Sequence, residues 1–181
     1  MSFPEALKFT YEDYLATPDD RRYELIDGDL LLTPAPTPYH QQVLANLEDA
    51  LRHFVHGQGL GRVFLAPCDI VLSRYDVVQP DIFFIRSDRL SIVTEKNISG
   101  APDLAVEVLS PSTEERDRDR KTKLYARAGV RELWIADPAA KSIEVFVLSE
   151  GGFRREALYA GAEVLRSPLL PGLEIPPSRI F

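Results

Sequence analysis

One seven-residue run limits this chain more than any other. Residues 103–109 read Asp-Leu-Ala-Val-Glu-Val-Leu. In a strand successive side chains alternate faces, so Ala105, Glu107 and Leu109 share one face and Leu104, Val106 and Val108 the other. Both faces are apolar apart from Glu107, which predicts a strand inside a sheet with layers packed on both sides. The 181 residues suit a single domain, 1–181, and 45% hydrophobic content supplies such a core.

Glu107 is therefore a carboxylate where water is scarce. It must be paired, protonated or bound to a metal, because an unpaired buried charge is costly. Residues 77–85, Val-Val-Gln-Pro-Asp-Ile-Phe-Phe-Ile, repeat the anomaly. There Asp81 precedes four apolar residues and follows Pro80, which lacks a ladder donor and marks a strand edge, opening or bulge. Two isolated acids in neighbouring apolar strands make a candidate site for Mg²⁺ or Mn²⁺. Such ions take oxygen ligands, commonly one or two carboxylates completed by phosphate and water. The plainer alternative is that each acid caps a loop or pairs with a buried base.

The rest of the chain supplies the elements around these strands. Thr10 and Asp13 open a short helix over residues 10–16. Asp27-Gly28 between two apolar runs predicts a hairpin, and 34–38 is a proline-stiffened connector. Val43, Leu44, Leu47, Leu51, Phe54 and Val55 recur at helical spacing, predicting a helix over 39–56 that the glycines after it end. Two strands, 62–72 and 77–85, follow, joined around Ser73–Asp76, and then the strand 103–109. Ser112 and Glu115 form a capping box opening a helix to Ala128, which Gly129 terminates. Strands are expected over 130–137 and 142–148, with a β-rich tail beyond. The class is mixed α/β: a central mixed sheet flanked by helices, with an N-terminal hairpin.

The chain has one cysteine, Cys68, which excludes an intramolecular disulfide and a cysteine-built zinc cluster. The first residues show no basic start followed by an apolar run, and no stretch reaches the roughly 18–20 apolar residues of a membrane span. A soluble cytoplasmic protein is the expectation. The net charge of −7 is unusual for a nucleic-acid binder, whose phosphate contacts ordinarily come with a basic surface.

The runs RYELIDGDL (22–30), VVQPDIFFI (77–85), APDLAVEVLSPST (101–113), DRDRKTKLYARAGVRELWIAD (117–137) and PLLPGLEI (168–175), with His40 opening a helix, together resemble the Uma-type restriction-endonuclease family. This family is a bacterial branch of the PD-(D/E)XK nuclease superfamily. The resemblance runs from about Tyr11 to the end of the chain. It implies a restriction-endonuclease-like core and a magnesium-dependent phosphodiesterase site in which Pro80-Asp81 is the "PD" and Glu107 the second acid. It also suggests a homodimer. The superfamily lysine two residues after the second acid is missing, for Leu109 stands there; the resemblance assigns that role to Lys121, on the following helix.

The helical phase points the same way. At 100° per residue, Leu124, Tyr125 and Ala128 fall within about 60° of Lys121, while Lys123 lies about 200° away. Lys121 then faces the sheet and Lys123 faces solvent. A lysine aimed at a core needs a negative partner; Asp81 and Glu107 would supply it, with Asp117, one turn earlier, the rival.

Supporting residues are weighed singly. Glu24 is a third carboxylate for the site or a hairpin-face charge. Gln79, two residues before Asp81, shares its face if the strand is regular. Asp69 interrupts an apolar run and is a reserve ligand. His40 meets the site or a phosphate, or is a surface histidine. His53 and His56 read as a surface pair, Cys68 as a packed strand thiol, and Trp134 and Tyr125 as core. Arg118 and Arg120 belong to a locally basic run, 116–131, that would track a phosphate backbone or lie as a salt-bridged solvated face. Three functions stay open: a DNA endonuclease, a non-catalytic interaction or nucleic-acid-binding protein with the same fold, and a metal-dependent hydrolase of a smaller phosphate ester.

Overall fold

The computed structural model describes residues 7–18, 20–110 and 115–181, without the side chains of 115–118. The capping box at Ser112, the side chain of Asp117 and that of Arg118 lie outside the described residues.

Thr10 caps α1 (Tyr11–Tyr14) through a reciprocal pair: its hydroxyl accepts from the Asp13 N–H, and Asp13 accepts from the Thr10 N–H. The hairpin β1 (Tyr23–Ile26) and β2 (Asp29–Leu32) turns at Asp27 and Gly28, both at positive φ (53° and 81°). Two positive-φ residues in a two-residue loop twist as the flanking strands do. The helix α2 (Pro38–Gly57) starts at its Thr37 cap and buries Val43, Leu44, Leu47, Leu51 and Val55, five of the six apolar positions read from its spacing.

The two long strands expected over 62–72 and 77–85 are each divided. The first becomes β3 (Gly61–Leu65) and β4 (Ile70–Ser73), the second β5 (Asp76–Val78) and β6 (Ile82–Arg86). Pro67 and Pro80 sit in the two gaps, where a residue without an N–H ends the ladder. At each gap the chain passes from one sheet to another. Cys68 consequently lies between strands, not in one.

Among the described residues the strands form two sheets. The smaller has the order β2-β1-β5-β4-β7, where β7 is Ile98–Ser99. The larger contains β3, β6, β8 (Leu104–Val108), β9 (Glu132–Asp137), β10 (Ser142–Ser149) and β11 (Gly152–Ala160), in the order β11-β10-β9-β8-β6-β3. Between the parallel strands β8 and β9 the chain forms α3 (Glu115–Ala128), ended by Gly129 at φ 87°. The mixed α/β class holds, with the strands shared between two sheets.

The central strand β8 is covered on both faces, as its sequence demands. Leu104, Val106 and Val108 join Leu47, Leu51, Trp134 and the tail residues Leu170 and Ile175 in one core. Ala105 joins a second core with Phe83, Ile135, Leu124 and Tyr125 of α3, and Ile26, Ile70 and Val78 of the smaller sheet. No helix among the described residues is long and apolar enough to cross a membrane.

Candidate metal centre

The antiparallel register Ile82↔Val106, continued by one residue, sets Asp81 against Glu107 across the β6–β8 pair. Asp81 precedes β6, at the proline gap, so its side chain is free to turn along the strand ends. Its Oδ2 accepts the Val108 N–H at 2.8 Å. The strand pairing thus fixes one acid beside the other.

The third element is α3, which spans the space over Glu107. The Lys121 Nζ donates to Glu107 Oε1 and Oε2 at 3.2 and 3.3 Å, and lies 2.9 Å from Glu24 Oε1. Lys123, by contrast, is exposed and pairs with Asp119 on its own helix. The helical phase read from the sequence is the observed one. Glu24 is buried in β1 and also accepts the Gln79 N–H at 2.8 Å, so it is a part of the cluster and not a hairpin-face charge.

His40 opens α2 and stands with Nε2 3.4 Å from Asp81 Oδ2, while its buried Nδ1 has no hydrogen-bond partner. The bond to Asp81 raises the His40 pKa against the opposing pull of burial. Asp81, Glu107, Lys121, Glu24, His40 and Tyr125 all border one cavity of about 220 Å³.

Tyr125 was legible only as a core aromatic, and its ring is indeed fully buried. Its hydroxyl, however, donates to Glu107 Oε1 at 2.5 Å. The available signal was its position four residues after Lys121: the same helix face, with a phenol that needs a partner once buried.

The strand is broken at Pro80, so the face that Gln79 would share with Asp81 in a regular strand is not built, but Gln79 lines the same cavity. Its side chain donates to Asp69 Oδ1 at 2.7 Å and accepts from Arg22. Asp69 also accepts the Tyr14 hydroxyl at 2.7 Å, and is committed to bracing the smaller sheet at α1. On α3, Arg120 donates to Asp29 and to the Ile26 carbonyl, and Arg127 pairs with Asp27 and Asp76. Arg120 therefore clamps the helix to the hairpin, as does Arg127. His53 and His56 are exposed, as read from the sequence.

The electrostatics follow from crowding. Burial pushes the Glu107 pKa up to about 7; the charge of Lys121 opposes this, and Asp81 and Glu24 add to it. Burial works against the charge on Lys121, but Glu107 and Glu24 outweigh it and raise its pKa. Three carboxylates thus share one recess with Lys121 and His40. Among the described residues no three His, Cys, Asp or Glu side chains sit closely enough to enclose an ion by themselves. Mg²⁺ takes one or two protein carboxylates and keeps water or substrate oxygens. The donors are hard oxygens and the recess favours added positive charge, so Asp81 and Glu107 fit a divalent cation.

The sequence matches the Uma2 family, described as "Putative restriction endonuclease", over residues 11–178. Among solved structures, it is similar to "a putative nuclease belonging to DUF820" from Anabaena variabilis ATCC 29413. That similarity has 19% identity and a TM-score of 0.81, and it covers 96% of this chain and 97% of the other. Among curated proteins none matches.

Proposed function

This chain belongs to the Uma2 family of restriction-endonuclease-like proteins, and from that premise we propose that it is a Mg²⁺- or Mn²⁺-dependent DNA endonuclease. The observation that carries the reading is the convergence of Asp81, Glu107 and Lys121 on one cavity, from a strand end, a central strand and a helix. Asp81 and Glu107 would hold the cation, which when bound polarises a phosphoryl oxygen and favours ionised water. Lys121 is held protonated beside them, where it would stabilise negative charge developing on the phosphate. Glu24 shares Lys121 with Glu107 and so restrains its Nζ. Tyr125 fixes one oxygen of Glu107, leaving the carboxylate little rotational freedom.

Purified protein should cut DNA with Mg²⁺ or Mn²⁺, and Asp81→Asn and Glu107→Gln should each abolish cutting. Intact single- and double-stranded DNA across both metals at low salt would overturn the reading. The hydrolase of a smaller phosphate ester is favoured by one feature, the modest recess with its largely apolar walls. Turnover of a chromogenic phosphodiester with no turnover of DNA would establish it. Metal-dependent loss of neither substrate would favour the non-catalytic protein.

A further inference from the structure

The geometry points to an unpaired nucleic-acid strand as the substrate, entering the catalytic cavity along a groove at the edge of β3. This rests on the nuclease reading and specifies its substrate class. Three observations carry it.

First, the acids are recessed. The side chains of Asp81 and Glu107 are 19% and 17% exposed. The cavity they share is walled by Ile26, Leu31, Leu44 and Ile135 and by Pro34 and Pro36 of the connector. A duplex keeps its phosphates on the outside and its bases stacked, so delivering one phosphate into this recess requires bending or extruding a nucleotide, at a cost of a few kcal/mol. An unpaired strand requires neither. The apolar liners match the face of an unstacked base, and Arg22, which lines the same cavity and donates to Gln79, is a cation available to its phosphate.

Second, the helix that the sequence marked as basic is not available for a backbone. Lys121, Lys123, Arg120 and Arg127 are all ion-paired within the chain. The described part of α3 is the salt-bridged face, not the phosphate track.

Third, further basic side chains gather beside β3. Arg52 and His56 of α2 and Arg62 of β3 line a shallow groove, with Leu65 at one end. Leu65 also lines the catalytic cavity, so the groove lies beside it. Arg52 is paired with Glu48, whereas Arg62 is exposed and has no ion pair among the described residues. On a chain of net charge −7, a groove beside the acids that carries Arg62, exposed and without an ion pair among the described residues, complements one phosphate backbone.

The test separates binding from cutting. Fluorescence anisotropy without divalent metal would compare a labelled single-stranded oligonucleotide with the same sequence as a duplex. The probes are the wild type, the double variant Arg52→Gln/Arg62→Gln, and Arg154→Gln as a remote control, each confirmed folded by circular dichroism. Tighter single-strand binding is expected, weakened at least tenfold in the double variant and unchanged in the control. The salt dependence should lose about 0.7 in slope, for the one phosphate contact that Arg62 supplies. Equal or tighter duplex binding, no single-strand binding, or a double variant like the wild type would overturn the inference. Groove-dependent binding without cleavage after Mg²⁺ is added would support the groove and overturn only the nuclease reading.

Discussion

Tyr125 donates its hydroxyl to Glu107 at 2.5 Å, joining a residue that reads as core packing to the acid that reads as chemistry. The bond is made to the ionised form of Glu107 and lowers a pKa that burial otherwise raises. Tyr125→Phe keeps the ring and removes the bond. Stability should fall by roughly 1.5–3 kcal/mol, the usual worth of a hydrogen bond to a charged group. Because Glu107 then ionises less readily, Mg²⁺ affinity at neutral pH should drop and recover as the pH is raised. Calorimetric titrations at neutral and mildly alkaline pH would measure this; affinity equal to wild type at both would leave Tyr125 a packing residue.

Lys121 and Lys123 are two residues apart and face opposite ways. Lys121→Met should reduce cleavage at least a hundredfold, because it removes the cation between Glu24 and Glu107. Lys123→Met should leave cleavage within about twofold, since an exposed pair with Asp119 contributes little. Comparable rates from the two folded variants would show that Lys121 has only a structural part.

The metal assignment is separable from catalysis. Calorimetry should detect Mg²⁺ or Mn²⁺ binding to the wild type and none to Asp81→Asn/Glu107→Gln. Undiminished binding in the double variant would place the ion elsewhere.

Glu132 offers a pH-dependent prediction away from the site. It is buried, and accepts from Trp134 Nε1 at 2.7 Å, Ser167 Oγ at 2.6 Å and Leu169 N at 2.8 Å, tying the tail to β9. Burial raises its pKa despite these three donors. A carboxyl raised in the folded state contributes stability that is full below its unfolded pKa and is lost as pH rises through the folded one. Glu132→Gln should flatten that decline. At acid pH it should cost roughly 1–3 kcal/mol, because an amide N–H then meets the Leu169 donor. Denaturant unfolding of both proteins from acid to neutral pH measures the difference; parallel curves would refute it.

A homodimer is expected from the family resemblance, with β11, the outer strand of the larger sheet and bearing the exposed Leu158, as the candidate surface. Light scattering at working concentration should give about twice the chain's 20.4 kDa. A single-chain mass would exclude the dimer under those conditions.

Much of this arrangement was legible because alternation and helical phase are local rules. The two apolar faces of β8, the anomalous Glu107 and the inward Lys121 all follow from spacing within one element. The burial of Val43 to Val55 along α2 follows in the same way. The division of strands 62–72 and 77–85 between two sheets was not legible, although Pro67 and Pro80 mark the places. A proline says that a ladder stops, but not which sheet the chain joins next. The same gap breaks the regular strand on which the face of Gln79 depended, though Gln79 still lines the cavity. For Arg120 and Arg127 the choice between phosphate track and salt-bridged face was not legible for a different reason: their partners Asp29, Asp27 and Asp76 lie about 50 to 100 residues away, and no local count of charges sees them.

The two proline gaps have a thermodynamic consequence. Glu24 belongs to the smaller sheet, Glu107 to the larger, Asp81 to the gap between them, and Lys121 to the helix clamped against both. A cation held by Asp81 and Glu107 would sit beside the Lys121 bridge that rivets this seam, and its binding free energy would be spread into elements it never touches. The amides of β2, whose residues hold no ligand, should exchange with solvent more slowly once the cation is in place. Slow exchange in a hairpin distant in sequence would then be the imprint of an ion bound at its neighbour.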